Sequence, residues 1–180
     1  ISASESSPTD SSAVSGGATQ AGGGSLTVSI VETVLGSAAS DDAVTMLSAG
    51  ILGASALESV TGTGSTDVLR MLGAGSTSVS AIESVIGSAA TDTVAMLAAG
   101  NLATSVVETV LGSDGTDVVT KIGAGTMAVS LVESVLGSTA SDTLTMLSGG
   151  DLAVSLIDTV VGTADTDVVS ALSAGTLAVS

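Results

Sequence analysis

The chain has no phenylalanine, tryptophan, tyrosine, histidine or cysteine, a single proline, and two cationic side chains, Arg70 and Lys121. Each absence excludes something. Without aromatic rings a core must be narrow and filled by aliphatic side chains. Without cysteine there are no disulfides and no thiolate metal sites. Histidine, cysteine and tyrosine supply most neutral-pH general bases, and the abundant serines and threonines lack an activating partner, so catalysis is not expected. No apolar run reaches the ~20 residues of a membrane-spanning helix. Against the two cations stand 18 acidic residues, a net charge of −16. Nucleic acid and anionic membranes are therefore poor partners, and divalent cations better ones.

What is present is repetition. Gly36, Gly62, Gly87, Gly112, Gly137 and Gly162 are each followed by an aspartate, Asp42, Asp67, Asp92, Asp117, Asp142 and Asp167, and the aspartates keep a constant 25-residue interval. A second glycine column, Gly50, Gly75, Gly100, Gly125, Gly150 and Gly175, keeps the same interval. Only the interval from Gly36 to Gly62 is longer, by a single inserted residue of the kind a turn absorbs. A period of this length signifies a repeat architecture. Residues 1–25, rich in serine and glycine, read as a flexible N-terminal arm; residues 26–180 read as six repeats.

Within one repeat, residues 118–122, 127–130 and 132–136 are short, β-branched runs bounded by glycine and serine. These features favour strands over a helix. The expected fold is all-β, a parallel β-solenoid with three short strands in each 25-residue rung, uncapped ends, and equivalent residues stacked ~4.8 Å apart. On that reading Val34, Val60, Val85, Val110, Val135 and Val160 form one interior ladder, and Leu47, Leu72, Leu97, Ile122, Leu147 and Leu172 a second. Adjacent apolar pairs such as Leu131–Val132 and Val135–Leu136 must send one member outward.

Two acidic columns run through the repeats: the aspartates, and Glu32, Glu58, Glu83, Glu108, Glu133 and Asp158. Like charges stacked about 5 Å apart repel by about 0.8 kcal/mol in water, and such a stack needs metal ions, backbone N–H donors or raised pKa values. The stretch Gly112-Ser113-Asp114-Gly115-Thr116-Asp117-Val118-Val119-Thr120 resembles the nonapeptide of the secreted bacterial RTX β-rolls at its first and fourth glycines, its aspartate and its aliphatic residue. The resemblance implies Ca²⁺ held by turn carbonyls and by carboxylates of successive rungs, with Asp42, Asp67, Asp92, Asp117, Asp142 and Asp167 as the ladder. The alternative is that each aspartate accepts N–H bonds of its own turn. The glutamate column reads as a solvated charged face.

Leu26-Thr27-Val28-Ser29 and Leu177-Ala178-Val179-Ser180 occupy the same positions of the repeat. The last strand of one molecule then offers an edge for the first strand of another, and a contact that does not close makes a filament. The expected function is an extracellular structural protein assembling head to tail with itself, and pairing laterally through exposed aliphatic residues. Two alternatives stand beside it. One is a stalk segment of a bacterial surface adhesin. The other is an ice-binding solenoid, similar to insect antifreeze proteins, in which Thr143 and Thr145 form a ladder that Val68 with Arg70, and Val118 with Thr120, interrupt. Asp92-Thr93-Val94 and Asp142-Thr143-Leu144 alternate with Asp67-Val68-Leu69, Asp117-Val118-Val119 and Asp167-Val168-Val169, marking a 50-residue unit.

Overall fold

A computed structural model describes residues 10–11, 16–20, 23–29, 31–37, 41–173 and 176–180. It is an all-β parallel solenoid of about nine turns, with two sheets. One sheet has eleven strands and the other ten, and consecutive strands of the chain fall alternately in the two. The strands Asp92–Met96, Thr109–Leu111 and Gly125–Ser130 belong to the eleven-stranded sheet; Gly100–Ser105, Asp117–Lys121 and Ser134–Leu136, threaded between them, belong to the ten-stranded sheet.

Each repeat holds three strands as expected, but a rung uses two of them. A rung is therefore about 17 residues, shorter than the repeat, and each repeat makes one and a half rungs. The register shows this directly: Val44 lies opposite Val60, Val60 opposite Val79, and Thr77 opposite Val94. Successive repeats start on opposite sides, and only after two repeats, three rungs on, does the chain return to the same sheet and position. Two flat sheets facing each other can be joined by aliphatic side chains alone, at the ~10 Å spacing of packed sheets. A chain without a single aromatic ring fits that arrangement.

Strand alternation decides what is buried. In Asp117–Lys121 the residues Asp117, Val119 and Lys121 point inward, while Val118 and Thr120 face out. Val34, Val60, Val85, Val110, Val135 and Val160 are all fully buried, as expected of an interior column. They are not one ladder, however: Val60, Val110 and Val160 lie in the eleven-stranded sheet, and Val34, Val85 and Val135 face them from the ten-stranded one. The second expected interior column is overturned. Leu47, Leu72, Leu97, Ile122, Leu147 and Leu172 are 47–65% exposed, because each follows an inward-facing Met46, Met71, Met96, Lys121, Met146 or Ala171 at the start of a turn.

The apolar pairs divide as expected. Val106, Leu131 and Leu156 are about half exposed, whereas the next residues, Val107, Val132 and Ile157, are buried. The bend between them is made by left-handed backbone at Ala56, Ala81, Val106, Leu131 and Leu156, with φ of 51–56°, a conformation that costs an L-residue roughly 1–2 kcal/mol.

Part of the expected arm is sheet. Asp10–Ser11 pairs with Leu26 and Thr27, and Gly16–Thr19 pairs with Val31–Leu35. The strand Gly24–Val28, expected to be the first edge, therefore has neighbours on both sides. The rest of the stretch 1–25, apart from Gln20 and Gly23, lies outside the described residues.

Candidate functional site

Three kinds of turn join the strands, and along one edge they stack in a fixed order: a short turn ending near a glycine, such as 97–99; an aspartate turn, such as 112–116; and a left-handed turn, such as 131–133. With one and a half rungs per repeat, all three recur along both edges of the solenoid. Each aspartate turn is followed, one rung on, by a left-handed turn.

That stacking accounts for the first glycine column. A Cβ on Gly112 would lie 1.7 Å from the Leu131 carbonyl oxygen, and one on Gly87 1.8 Å from that of Val106. Glycine is required there by close approach of the next rung. The second glycine column needs its residue for another reason at Gly125 and Gly150, whose φ values of 122° and 149° are strained for any side chain.

The six aspartates are held alike. One carboxylate oxygen, Oδ2, accepts the N–H of the residue after the turn's opening glycine: Ser37, Thr63, Ser88, Ser113, Ser138 and Thr163, at 2.5–2.6 Å. The hydroxyls of Ser37, Thr63, Ser113 and Ser138 donate to the same oxygen at 2.8–2.9 Å. Asp42, Asp67, Asp92, Asp117 and Asp142 are buried, and Asp167 is half-buried. The turn-capping alternative thus describes the geometry, at Asx-type positions whose carboxylate satisfies otherwise buried donors.

The glutamate column is more than a charged face. Glu58, Glu83, Glu108 and Glu133 accept the backbone N–H of Asp42, Asp67, Asp92 and Asp117 at 2.7–2.8 Å, and Asp158 does so for Asp142. Aspartate and glutamate columns therefore interlock, and the sequence separation within each pair is close to one rung.

The calcium ladder is not assembled. Asp42, Asp92 and Asp142 lie in the eleven-stranded sheet, Asp117 and Asp167 in the ten-stranded one, and Asp67 immediately before that sheet's strand Val68–Met71. Neighbours on one side are three rungs apart, about 14 Å, so no cation bridges carboxylates of successive repeats. At that distance their repulsion in water is only about 0.3 kcal/mol. Among the described residues no three acidic side chains converge in a metal-binding cluster.

The two sides differ at the second carboxylate oxygen, Oδ1. In the ten-stranded sheet, Asp67 and Asp117 accept the N–H of Gly50 and Gly100 there, at 3.0 Å. In the eleven-stranded sheet the Oδ1 atoms of Asp42 and Asp92 are buried without a hydrogen-bond partner. At Asp142 the gap is closed by Lys121, whose Nζ donates at 2.8 Å and also to the Gly123 carbonyl. Lys121 stands in the interior column that is methionine at Met46, Met71, Met96 and Met146, and it is only 7% exposed. Burial raises the Asp142 pKa, but the hydrogen bonds from Lys121 and Ser138, with the lysine's charge, outweigh it and hold the carboxyl below its ordinary value. Sequence reasoning missed this pair; the signal was a lysine in a methionine column.

The outer faces also differ. On the eleven-stranded sheet, Thr27, Thr45, Thr61 and Ser80 face each other in register, as do Ser76, Thr93, Thr109 and Ala128, and Thr126, Thr143, Thr159 and Ala178. The corresponding positions of the ten-stranded sheet mix hydroxyls, at Ser84, Thr120, Ser134 and Ser170, with Ile51, Val68, Arg70, Ile86, Asn101, Val118, Leu136, Asp151 and Val168, whereas the large aliphatics in register on the eleven-stranded face are Leu111 and Val161. No helix among the described residues is long and apolar enough to cross a membrane. Set against protein-family models, curated proteins and solved structures, the chain matches none.

Proposed function

We propose that the chain is an extracellular structural solenoid that lengthens by stacking rungs end to end with further copies of itself. The observation that supports this most is what happens to the inward columns at the last rung. Val79 and Val129 are 3% exposed, and the equivalent Val179 is 59% exposed. Ala171 is exposed where Met71 and Lys121 are buried. Within the described residues, Ala178–Val179 pairs only with the strand Thr159–Val161, leaving the other side of its backbone to recruit a strand. The complementary surface in a second copy is Asp10–Ser11 with Gly16–Thr19, beyond the Leu26–Ser29 strand first expected, while Leu177–Ser180 stays at the contact. In an adhesin stalk the same surface would be covered by further rungs of one polypeptide. Negative-stain microscopy of the 180-residue chain at increasing concentration separates the two: unbranched fibres, lost in Val179→Lys, support stacking, and a monodisperse particle at high concentration sinks it.

A specific observation also favours ice binding as a second reading. The interruptions of the threonine ladder, Val68 with Arg70 and Val118 with Thr120, belong to the opposite sheet. Among the described residues the eleven-stranded face carries hydroxyls and methyls in register, interrupted by Leu111 and Val161, and no charge at its outward register positions, an array that suits an ordered water lattice. Thermal hysteresis measured on the purified chain, and abolished in Thr93→Lys/Thr143→Lys, is the expected result; its absence in the native chain removes the reading.

A further inference from the structure

The two unpartnered oxygens nearest the middle of the solenoid stand on adjacent strands. Asp92 is fully buried and its Oδ1 has no hydrogen-bond partner; Thr77 is 6% exposed and its Oγ1 has none either. They belong to neighbouring strands in which Gly75 faces Asp92 and Thr77 is the next inward position along. A cavity of about 130 Å³ opens on the preceding rung's side of Thr77, lined by Glu58, Leu69, Met71, Gly73, Gly75 and Thr77; Asp92 lies outside its lining. Three rungs further on, the equivalent positions show what such a place accommodates. There Lys121 replaces Met71, Met127 replaces Thr77, and the lysine Nζ bonds Asp142 Oδ1 and the carbonyl of Gly123, the counterpart of Gly73.

A methionine side chain ends one atom short of the lysine ammonium, so Met71 brings no donor to Asp92. Where the ammonium is present the hydroxyl is missing, and where the hydroxyl is present the ammonium is missing. A buried carboxylate without a counter-charge costs several kcal/mol, a cost that pairing removes. We infer that Asp92 Oδ1, Thr77 Oγ1 and the Gly73 carbonyl form a site for a small monovalent cation, Na⁺ or K⁺, standing where the Lys121 ammonium stands in the later repeat. One carboxylate balances one positive charge, and among the described residues no group of three acidic side chains is assembled that would hold a divalent ion.

The test compares thermal midpoints in sodium, potassium and tetramethylammonium chloride at equal ionic strength. The large organic cation screens the surface charge equally but cannot enter the site. An occupied site raises the native midpoint by about 3 °C or more in sodium or potassium over tetramethylammonium. Met71→Lys supplies the ammonium internally, so its midpoint should be higher and the same in all three salts. Lys121→Met opens an equivalent gap at Asp142, and its midpoint should depend on the small cation more steeply than the native chain's. Equal midpoints in all salts for the native chain overturn the inference and leave the two oxygens to water. A salt difference that Met71→Lys retains in full, or, should that variant not fold, one that Lys121→Met leaves unenlarged, overturns it as a surface effect.

Discussion

The two broad faces of the solenoid are written by the same repeat and differ in chemistry. The residue after the turn aspartate is Ala43, Thr93 and Thr143 in the eleven-stranded sheet, and Val68, Val118 and Val168 in the ten-stranded sheet. Its partner two places on is Thr45, Ala95 and Thr145 on one face, and Arg70, Thr120 and Ser170 on the other. The inward position between these two does not alternate in this way, since Val44, Leu69, Val94, Val119 and Leu144 are all fully buried aliphatics. A core that meets itself from both sides imposes one demand on every repeat, whereas each face meets its surroundings alone. The 50-residue unit is thus a consequence of one and a half rungs per repeat: two repeats are needed before the chain revisits a face.

The largest effect expected concerns the close approach that lets the rungs stack beneath both faces. Gly112→Ala forces a Cβ onto the Leu131 carbonyl, and should cost more than about 3 kcal/mol in chemical denaturation. Gly123→Ala, with nothing within 4 Å of the new atom, should stay within about 1 kcal/mol.

Next comes the Lys121–Asp142 pair, which distinguishes the eleven-stranded side from the other. Lys121→Met should cost about 3 kcal/mol at pH 7 by leaving a buried carboxylate unpaired. Because the folded Asp142 pKa is lowered, the stabilisation it reports is fully present above the unfolded value near 3.9 and is lost as pH falls through the folded value. Denaturation at pH 7 and then below pH 4 should show the gap between native chain and variant narrowing with acid.

A smaller difference separates the two sides of a single strand. Val119→Ala, inward, should cost about 2 kcal/mol, and Val118→Ala, outward, within about 0.5 kcal/mol. Similar losses at both would mean that the ten-stranded face is covered. The smallest effect on stability carries the most information about the faces. Removing residues 92–141, three whole rungs, should put Thr143 in the place of Thr93 against Ser76 across the join, while removing 92–116 should set the remaining repeats on the opposite faces; thermal hysteresis or fibre formation that depends on a continuous face should survive the first deletion and not the second.

Much of this was legible in the residues. Three strands per repeat follow from the short β-branched runs, and that one member of Leu131–Val132 points outward follows from the adjacency of two apolar residues, though which one does is set by the left-handed bend at Leu131. The capping role of the aspartates follows from Asx-turn chemistry. Rung closure does not: three strands per repeat suit one three-sided rung as well as one and a half two-sided rungs, and only non-local pairing, such as Val94 with Val110, decides between them. That choice carried the errors with it. Stacking repeat directly on repeat turned two opposed sets of valines into one ladder, brought the aspartates within calcium-sharing distance, and set Val68 among the threonines. The alternation of Thr93 with Val118 held the correction, since a residue that changes with every second repeat is one that changes sides. The inward lysine was hidden for another reason: a long aliphatic stem fills a methionine's place, and its charge is explained only by Asp142 one rung away.

The rung length is open to a direct test in a chain without cysteine. Thr93→Cys/Thr109→Cys places two thiols on adjacent strands in register, at a separation a disulfide spans, and Thr93→Cys/Val118→Cys places them on opposite faces. Mild oxidation should cross-link the first pair within the monomer and leave the second free. Efficient cross-linking of residues 93 and 118, with 93 and 109 unreacted, would mean that one repeat closes one rung after all and that the two faces are one.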